Sequence, residues 1–266
     1  MYKTHFSLAR YPFEPSIEVD ELLPLKGQQE ALSRIRHLVE LRGIGVLTGE
    51  PGCGKSTVCR QVAGELHPGL HLHRYVSLTT GSVSDLYETL SQAFGLEPVN
   101  QRARAFRAIR TEVTRRIREA RQLPVLVVDE AHLLRGELLE ELRLLTNYRM
   151  DSENRLCLLL AGHTELRHRL AMAAYESLNQ RIVVRCHLAG LQPDEVEGYL
   201  QHRMKLAGAD MPVFRDDAVL SIAQVSNGVP RRIDRVAHLA LWAAALEKRP
   251  MVEPGDVDRA VSETGA

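Results

Sequence analysis

A glycine-rich loop between a short apolar segment and a helix-like segment constrains this 266-residue chain more than any other feature. Residues 49–57 read GEPGCGKST, which fits the pattern G-x-x-x-x-G-K-S of a phosphate-binding loop. Residues 44–48 predict a buried strand before the loop, and residues 56–66 predict a helix after it. Because a helix N-terminus adds its dipole to an anion site, the order strand, loop, helix predicts a nucleotide-binding α/β fold.

Each residue type in the loop has a physical role in phosphate binding. Glycines allow backbone N–H groups to approach phosphate oxygens where a Cβ would obstruct them. We expect Lys55 to place its ammonium group on the β- and γ-phosphates, and Ser56 to offer its hydroxyl to Mg²⁺. The predicted nucleotide-binding residues of the loop are Gly49, Gly52, Cys53, Gly54, Lys55, Ser56 and Thr57.

An acidic pair follows a second apolar run, PVLVVDEAH at residues 124–132. The run favours a buried parallel strand, and ligands collect at the carboxyl ends of such strands. There we expect Asp129 to hold the water shell of Mg²⁺ and Glu130 to polarise a water for attack on the γ-phosphate. The pair favours hydrolysis over phosphoryl transfer. Since the chain has no N-K-x-D motif, ATP is preferred to GTP.

Composition narrows the class of protein. The 34 Lys and Arg residues balance 34 Asp and Glu residues, which argues against a uniformly basic nucleic-acid coat but allows a local basic stripe. The four cysteines show no metal-ligand spacing and indicate reduced thiols. The N-terminal segment has no apolar signal-peptide region, and no apolar run is long enough to span a bilayer. We therefore expect a cytoplasmic protein without membrane contact.

The predicted elements change in character along the chain. Strands alternate with helices up to residue 188, which predicts a parallel sheet, and only helices are predicted after it. The further predicted strands are 72–78, 156–161 and 183–188, and the C-terminal helices are 193–206, 216–225, 230–248 and 254–263. We expect an N-terminal arm (1–24), an α/β nucleotide-binding domain (25–190) and a small all-helical lid domain (191–266).

The order of these motifs resembles the AAA+ ATPases over nearly the whole chain. The matching features are the phosphate-binding loop, the Asp-Glu strand, an arginine before the last strand and GVPR at residues 228–231. The stretches MYKTHFSLARYPFEP, LLAGHTELRHRL and LNQRIVVRCHLAGL are similar to the ExeA/GspA-like family. That family includes transposon-encoded ATPases similar in plan to TnsC, TniB and MuB. The resemblance implies a P-loop AAA+ core, a helical lid and a homo-oligomer, either a ring or a helical filament.

The resemblance also implies roles for arginines outside the loop. Arg181 matches the arginine finger, a catalytic group that reaches the γ-phosphate held by a neighbouring subunit, and Arg185 is the alternative. Arg231 matches the sensor 2 arginine that contacts the nucleotide from the lid, and the adjacent Arg232 is the alternative.

The sensor 1 position departs from the family pattern. Many AAA+ proteins place Asn or Thr at the end of the fourth strand, whereas here His163 and Thr164 follow that strand. Either residue would hold the attacking water, or would instead cap the following helix. A slow or partner-dependent hydrolysis would fit this departure.

Residues 102–121 contain eight arginines and only two glutamates. Apolar residues at spacings of three and four predict an amphipathic helix with a basic face. The resemblance implies that this region lines the pore of an assembly around duplex DNA, where arginines contact phosphates without reading bases. A solvated helix, or one paired to acidic neighbours, is the alternative. The predicted DNA-binding residues are Arg102, Arg104, Arg107 and Arg110, with Thr79 in the loop after the second strand.

The resemblance implies an ATP-dependent, DNA-binding oligomer that selects target DNA and recruits or activates a transposase, with a target-selector protein as a further partner. Two alternatives stay open: an ExeA-like ATPase that assists assembly of a secretion machinery, and a signalling ATPase of the STAND type. The first would call for a membrane segment and a peptidoglycan-binding module, and the second for sensor or effector domains. The sequence predicts none of these.

Overall fold

The computed structural model describes residues 2–14, 17–77, 81–99 and 101–264. In chain order the helices and strands are α1 (Tyr2–His5), α2 (Lys26–Leu41), β1 (Ile44–Gly49), α3 (Lys55–Glu65), β2 (His71–Ser77), α4 (Val83–Ala93), α5 (Arg102–Arg118), β3 (Leu123–Asp129), α6 (Gly136–Thr146), β4 (Cys157–Gly162), α7 (Thr164–Leu170), α8 (Glu176–Asn179), β5 (Ile182–Leu188), α9 (Pro193–Leu206), α10 (Asp216–Ser226), α11 (Pro230–Leu246) and α12 (Pro254–Thr264).

The chain forms two compact units. The α/β unit consists of Gly27–Gly49 and Lys55–Leu188. The helical unit consists of Met1–Lys26, Glu50–Gly54 and Ala189–Ala266.

The α/β unit is built on a five-stranded sheet in the order β2-β3-β4-β1-β5, and every pairing is parallel. Strands β1, β3 and β4 are buried along their whole length, as continuous apolar runs in a sheet covered on both faces should be. The edge strand β5 alternates buried and exposed residues. The predicted fold class, a parallel α/β core followed by an all-helical segment, is confirmed.

Helix α5 occupies a different range from the one predicted. The apolar spacing predicts a helix over residues 105–121, and these bounds are wrong by three residues at each end, since the helix spans Arg102–Arg118. It begins early because the carbonyl of Gln101 already accepts the N–H of Ala105 at 3.0 Å. Its apolar face behaves as predicted, because Ile109 and Val113 are fully buried in the core of the α/β unit.

The helical unit packs the N-terminal segment against the C-terminal helices. The guanidinium of Arg203 on α9 donates to the carbonyls of Pro12 at 2.6 Å and Glu14 at 2.7 Å. The hydroxyl of Tyr2 lies 2.9 Å from Nδ1 of His238 on α11. Proline begins α9, α11 and α12, where its missing N–H costs nothing. Within the described ranges, no helix has the length and apolar character needed to cross a bilayer.

Candidate functional site

The predicted phosphate-binding loop connects β1 to α3. Strand β1 ends at Gly49 and α3 begins at Lys55, as the motif predicts. Gly52 has a φ of +86° and Gly54 a φ of +99°, conformations that side-chain-bearing residues rarely adopt. These two glycines are therefore required by the backbone of the loop itself.

Lys55 and Ser56 open helix α3 within the α/β unit. Lys55 is buried, and its Nζ donates to the carbonyl of Gly49 at 2.9 Å, which turns the ammonium back toward the end of β1. Ser56 is exposed and Thr57 is partly buried in the same first turn. The first N–H groups of a helix lack intrahelical acceptors, so this turn offers donors to an anion.

Asp129 ends β3 with both carboxylate oxygens oriented. Its Oδ1 accepts the backbone N–H of Glu130 at 2.8 Å, and its Oδ2 accepts the hydroxyl of Tyr75 at 2.6 Å. Asp129 is only 4% exposed. Tyr75 is a site residue that the sequence analysis missed. The available signal was its position on β2, whose last residue Ser77 pairs in register with Asp129.

Lys55 of the loop and Asp129 of the acidic pair act on the same buried thiol. Burial raises the pKa of Cys59 on α3 to about 12, Asp129 adds to the rise, and Lys55 opposes it. The cation of Lys55 and the carboxylate of Asp129 therefore lie in one electrostatic environment.

Glu130 adopts an unusual backbone conformation. Its φ of 53° and ψ of 30° place it in the left-handed region, which costs a non-glycine residue on the order of 1–2 kcal/mol. Such strain collects at functional sites. In the described part of the chain, its buried Oε2 receives no hydrogen bond, although it lies 3.3 Å from Nδ1 of His132.

His163 lies beside Glu130. Its ring stacks on that of His132, with centroids 3.8 Å apart and planes inclined by 19°, and its Nε2 lies 3.7 Å from Oε2 of Glu130. His163 is the N-cap residue of α7, but its side chain makes no capping hydrogen bond. The His163 side chain therefore does not cap α7, and its sensor 1 role stays a prediction. Burial lowers the pKa of His132, and His163 lowers it further.

Arg231 lies against the loop segment that belongs to the helical unit. Its backbone N–H donates to the carbonyl of Gly52 at 3.3 Å. A Cβ added at Gly52 would meet the Cβ of Arg231 at 2.5 Å. Cys53 is buried in this segment, whereas the side chains of Arg231 and Arg232 are both exposed. Within this unit, the predicted sensor 2 residue and the predicted loop are therefore neighbours.

The two arginine-finger candidates have different surroundings. Arg181 forms an ion pair with Asp151, and 22% of its side chain is exposed. Arg185 donates to the carbonyls of Asn179 at 2.8 Å and Ile182 at 2.9 Å, which ties it to the turn between α8 and β5. Among the contacts described, the Arg181 side chain has one partner, the carboxylate of Asp151, whereas Arg185 is held by two backbone carbonyls. Arg181 is therefore the candidate that can exchange its partner for a phosphate.

The arginines of α5 differ in their contacts with other elements. Arg102 pairs with the buried carboxylate of Glu141, and Arg110 donates to the carbonyl of Asn147 while lying 4.1 Å from the ring centroid of Tyr148. Arg104 and Arg107 are exposed. Thr79, also predicted to contact DNA, lies outside the described residues.

Part of the basic face is paired to an acidic neighbour. Glu112 accepts hydrogen bonds from Arg115 and Arg116, which lower its pKa to about 2, Arg115 contributing most. Arginines lining the open side of α5 nevertheless bound a groove of about 650 Å³, together with Tyr148 and Arg149.

Comparison with known protein families decides the membership of the chain. Residues 36–170, about half of the chain, match the family described as AAA domain. This chain belongs to the AAA domain family. The predicted AAA+ resemblance is thereby confirmed at the level of the family and the ATPase fold.

A curated relative of this AAA domain protein is the general secretion pathway protein A of Aeromonas hydrophila. The two are 32% identical over 267 residues, which is 99% of this chain and 48% of the relative. The chain thus spans about half the length of that relative.

Solved structures share the fold of this AAA domain protein. Cdc6p from Pyrobaculum aerophilum has a TM-score of 0.71 at 18% identity, covering 95% of this chain and 70% of that one. Drosophila ORC bound to DNA has a TM-score of 0.68 at 19% identity, covering 98% and 66%. The RuvB branch migration motor of Thermotoga maritima has a TM-score of 0.56 at 19% identity, covering 96% and 73%.

Proposed function

We propose that this AAA domain protein acts in the cytoplasm as an ATP-hydrolysing, DNA-binding homo-oligomer that selects target DNA and recruits or activates a transposase. The observation that carries the proposal is the convergence of Asp129, Glu130 and His163 in the unit that also holds Lys55. This set combines the groups that nucleotide hydrolysis requires: a cation for the phosphates, a carboxylate for Mg²⁺ and a base for water.

The residues fit Mg²⁺–ATP. Lys55 and the first turn of α3 would hold the phosphates, and Ser56 and Asp129 would hold Mg²⁺. The bound ion would supply charge stabilisation on the phosphates. Glu130 would accept the proton of the attacking water. Its Oε2, which receives no hydrogen bond within the described residues, has acceptor capacity for that proton.

Assembly would complete the site. Arg181 would reach the γ-phosphate in a neighbouring subunit after exchanging its ion pair with Asp151 for the phosphate. An exposed or partly exposed ion pair is worth little, so this exchange costs little. Hydrolysis is then expected to be slow in the monomer and faster in the assembled protein.

DNA binding would use the open side of α5. Arg104 and Arg107, of which Arg107 also lines the adjacent groove, would contact phosphates, because guanidinium groups bind phosphate oxygens with paired N–H donors. Arg102 and Arg110 would contribute less, since both already bind groups on α6 or just after it. The DNA bound by ORC in the similar structure is consistent with this use of the fold, although the likeness shows the fold alone.

A second candidate is an ATPase that assists assembly of a secretion machinery. The observation that favours it is the 32% identity with the general secretion pathway protein A. The same nucleotide chemistry would serve there, and the α5 arginines would then be a solvated face.

Fluorescence anisotropy of a labelled duplex, measured against salt with and without an ATP analogue, tests the DNA-binding proposal. The wild-type protein should bind in the presence of the analogue, with a log–log salt slope of about −0.9 per phosphate contact. The double variant Arg104→Glu, Arg107→Glu should bind more weakly and with a shallower slope. Both side chains are exposed, so nucleotide binding should be retained.

The matched control is Lys205→Glu, Lys248→Glu, which makes the same charge change at exposed positions of the helical unit. It should retain most of the DNA affinity. An equal loss of DNA affinity in both double variants would show that the loss comes from net charge and not from the α5 arginines. No duplex binding in any nucleotide state would favour the secretion candidate.

A further inference from the structure

A cluster of potential metal ligands lies beside the proposed nucleotide site. Glu130, His132 and His163 each offer one ligand atom, and these atoms all lie within 4.8 Å of one another. Among the described residues this is the only such group of three. The function proposed above uses Glu130 and His163 but assigns nothing to His132.

The cluster brings together two atoms that carry lone pairs, and among the described residues one long hydrogen bond reaches them. The backbone N–H of His163 donates to Nδ1 of His132 at 3.4 Å, and since a backbone N–H can only donate, this nitrogen carries a lone pair. Oε2 of Glu130 lies 3.3 Å from that nitrogen, is buried, and receives no hydrogen bond in the described part of the chain. Two electron-rich atoms therefore face each other, an arrangement that a cation stabilises.

The spacing suits a small transition-metal ion. Zn²⁺ binds imidazole nitrogen and carboxylate oxygen at about 2.0–2.2 Å, so ligand atoms at tetrahedral positions lie about 3.3–3.6 Å apart. The distances from Oε2 of Glu130 are 3.3 Å to His132 and 3.7 Å to His163. The His132 and His163 rings are stacked, so the His163 ring, 35% of whose side chain is exposed, would turn out of the stack to direct its nitrogen at the same ion.

The surrounding structure holds His132 in place. Arg169 on α7 donates to the carbonyls of His132 and Leu134, the latter at 2.7 Å. A Cβ at Gly162 would meet the backbone nitrogen of His132 at 3.0 Å, so the segment packs closely on the end of β4. Only 9% of the His132 side chain is exposed. One ligand is thus fixed, and the other two are partly accessible for ion entry.

We propose that Glu130, His132 and His163 form a binding site for a divalent transition-metal ion of the Zn²⁺ type, and that the bound ion holds the carboxylate of Glu130 away from its role in hydrolysis. Two imidazoles and one carboxylate favour Zn²⁺ over Mg²⁺, which prefers oxygen ligands and retains its waters. Three protein ligands leave a fourth position for water, so the ion would be exchangeable. Zn²⁺ would then be an inhibitor of the ATPase.

The direct test is titration of the full chain with ZnCl₂ in excess Mg²⁺ against a chromophoric chelator, repeated with Co²⁺ to record its visible absorption. One Zn²⁺ per chain and a tetrahedral Co²⁺ spectrum are expected. His132→Asn and His163→Asn should each weaken Zn²⁺ binding at least about 10-fold, since even changes behind the metal ligands cost that much. His168→Asn, at an exposed position of α7, is the matched control and should bind as the wild type does.

Circular dichroism shows whether each variant is folded. Binding that persists in folded His132→Asn and His163→Asn, or an absent binding event in the wild type, would overturn the site. A second test measures ATP hydrolysis and rests on the proposed function. Zn²⁺ should inhibit hydrolysis by the wild-type and His168→Asn proteins but not by His132→Asn, and a chelator should reverse the inhibition. If the protein hydrolyses no ATP in any condition, the proposed function is contradicted. The Zn²⁺ titration would still decide whether the metal site exists.

Discussion

The hydroxyl of Tyr75 on β2 donates a 2.6 Å hydrogen bond to Oδ2 of Asp129 at the end of β3. With the backbone N–H of Glu130 on Oδ1, it fixes the direction of the carboxylate that we propose for Mg²⁺. Groups behind a metal ligand commonly control its affinity in this way.

Tyr75→Phe should therefore lower the affinity of the site for Mg²⁺ without disturbing the fold. We expect the Mg²⁺ concentration for half-maximal ATP hydrolysis to rise about 10-fold. Nucleotide affinity measured in EDTA should stay unchanged. Tyr148→Phe is the matched control, because the buried hydroxyl of Tyr148 has no hydrogen-bond partner in the described structure. An unchanged Mg²⁺ dependence in Tyr75→Phe would show that Asp129 does not need this hydrogen bond.

The proposed trans role of Arg181 can be tested by mixing subunits. Arg181→Ala has an intact site but no finger, and Glu130→Gln has a finger but a stalled site. Each alone should hydrolyse little ATP. A mixture should recover activity, because Arg181 of one subunit would complete the site of the other.

Asp151→Asn is the control for the lost ion pair, since it breaks the same contact and leaves Arg181 in place. It should retain assembly-dependent hydrolysis. Mixtures that recover no activity would place the role of Arg181 within its own subunit. A fully active Arg181→Ala protein would exclude it from hydrolysis.

The partly buried carboxylate of Asp234 in the helical unit predicts a pH effect on stability. Burial raises the pKa of Asp234 from 3.8 to about 6, although Arg203 and the hydroxyl of Tyr199 oppose the rise. The folded state therefore takes up a proton that the unfolded state does not, as the pH falls from about 6 toward 4. As the pH falls through that window, this group alone should increase the free energy of unfolding by at most about 3 kcal/mol.

Asp234→Asn removes the titration while Asn still accepts the hydrogen bond of Tyr199. Thermal unfolding at pH 7 and pH 4.5 should show the wild type gaining stability relative to the variant as the pH falls. Parallel behaviour of the two proteins at both pH values would contradict the raised pKa.

Local patterns predicted much of the fold and of the candidate site. The apolar run at β3 and its acidic pair are contiguous in sequence, so strand and site residues were found together. Helix α9 was predicted with its correct bounds, Pro193–Leu206, since proline marks its start. The loop glycines were found because their conformation is a property of the loop itself.

Contacts between separate elements could not be predicted in this way. Tyr75 meets Asp129 across 54 positions of sequence, and His132 stacks on His163 across 31 positions. Periodicity reports which face of an element is buried, but not which polar groups meet there. The same limit applies to Arg110, whose basic character predicted DNA contact while its carbonyl partners come from the end of α6. Its contact with DNA stays a prediction.

The most direct test of the account is the fate of ATP in Glu130→Gln, beside Lys55→Ala. Equilibrium binding of a fluorescent ATP analogue and hydrolysis of radiolabelled ATP would be measured on the same preparations. Lys55→Ala should lose nucleotide affinity, because it removes the buried ammonium of the loop. Glu130→Gln should bind ATP with an affinity near the wild-type value and hydrolyse it about 10²-fold more slowly or worse. Hydrolysis at the wild-type rate by Glu130→Gln would contradict the account.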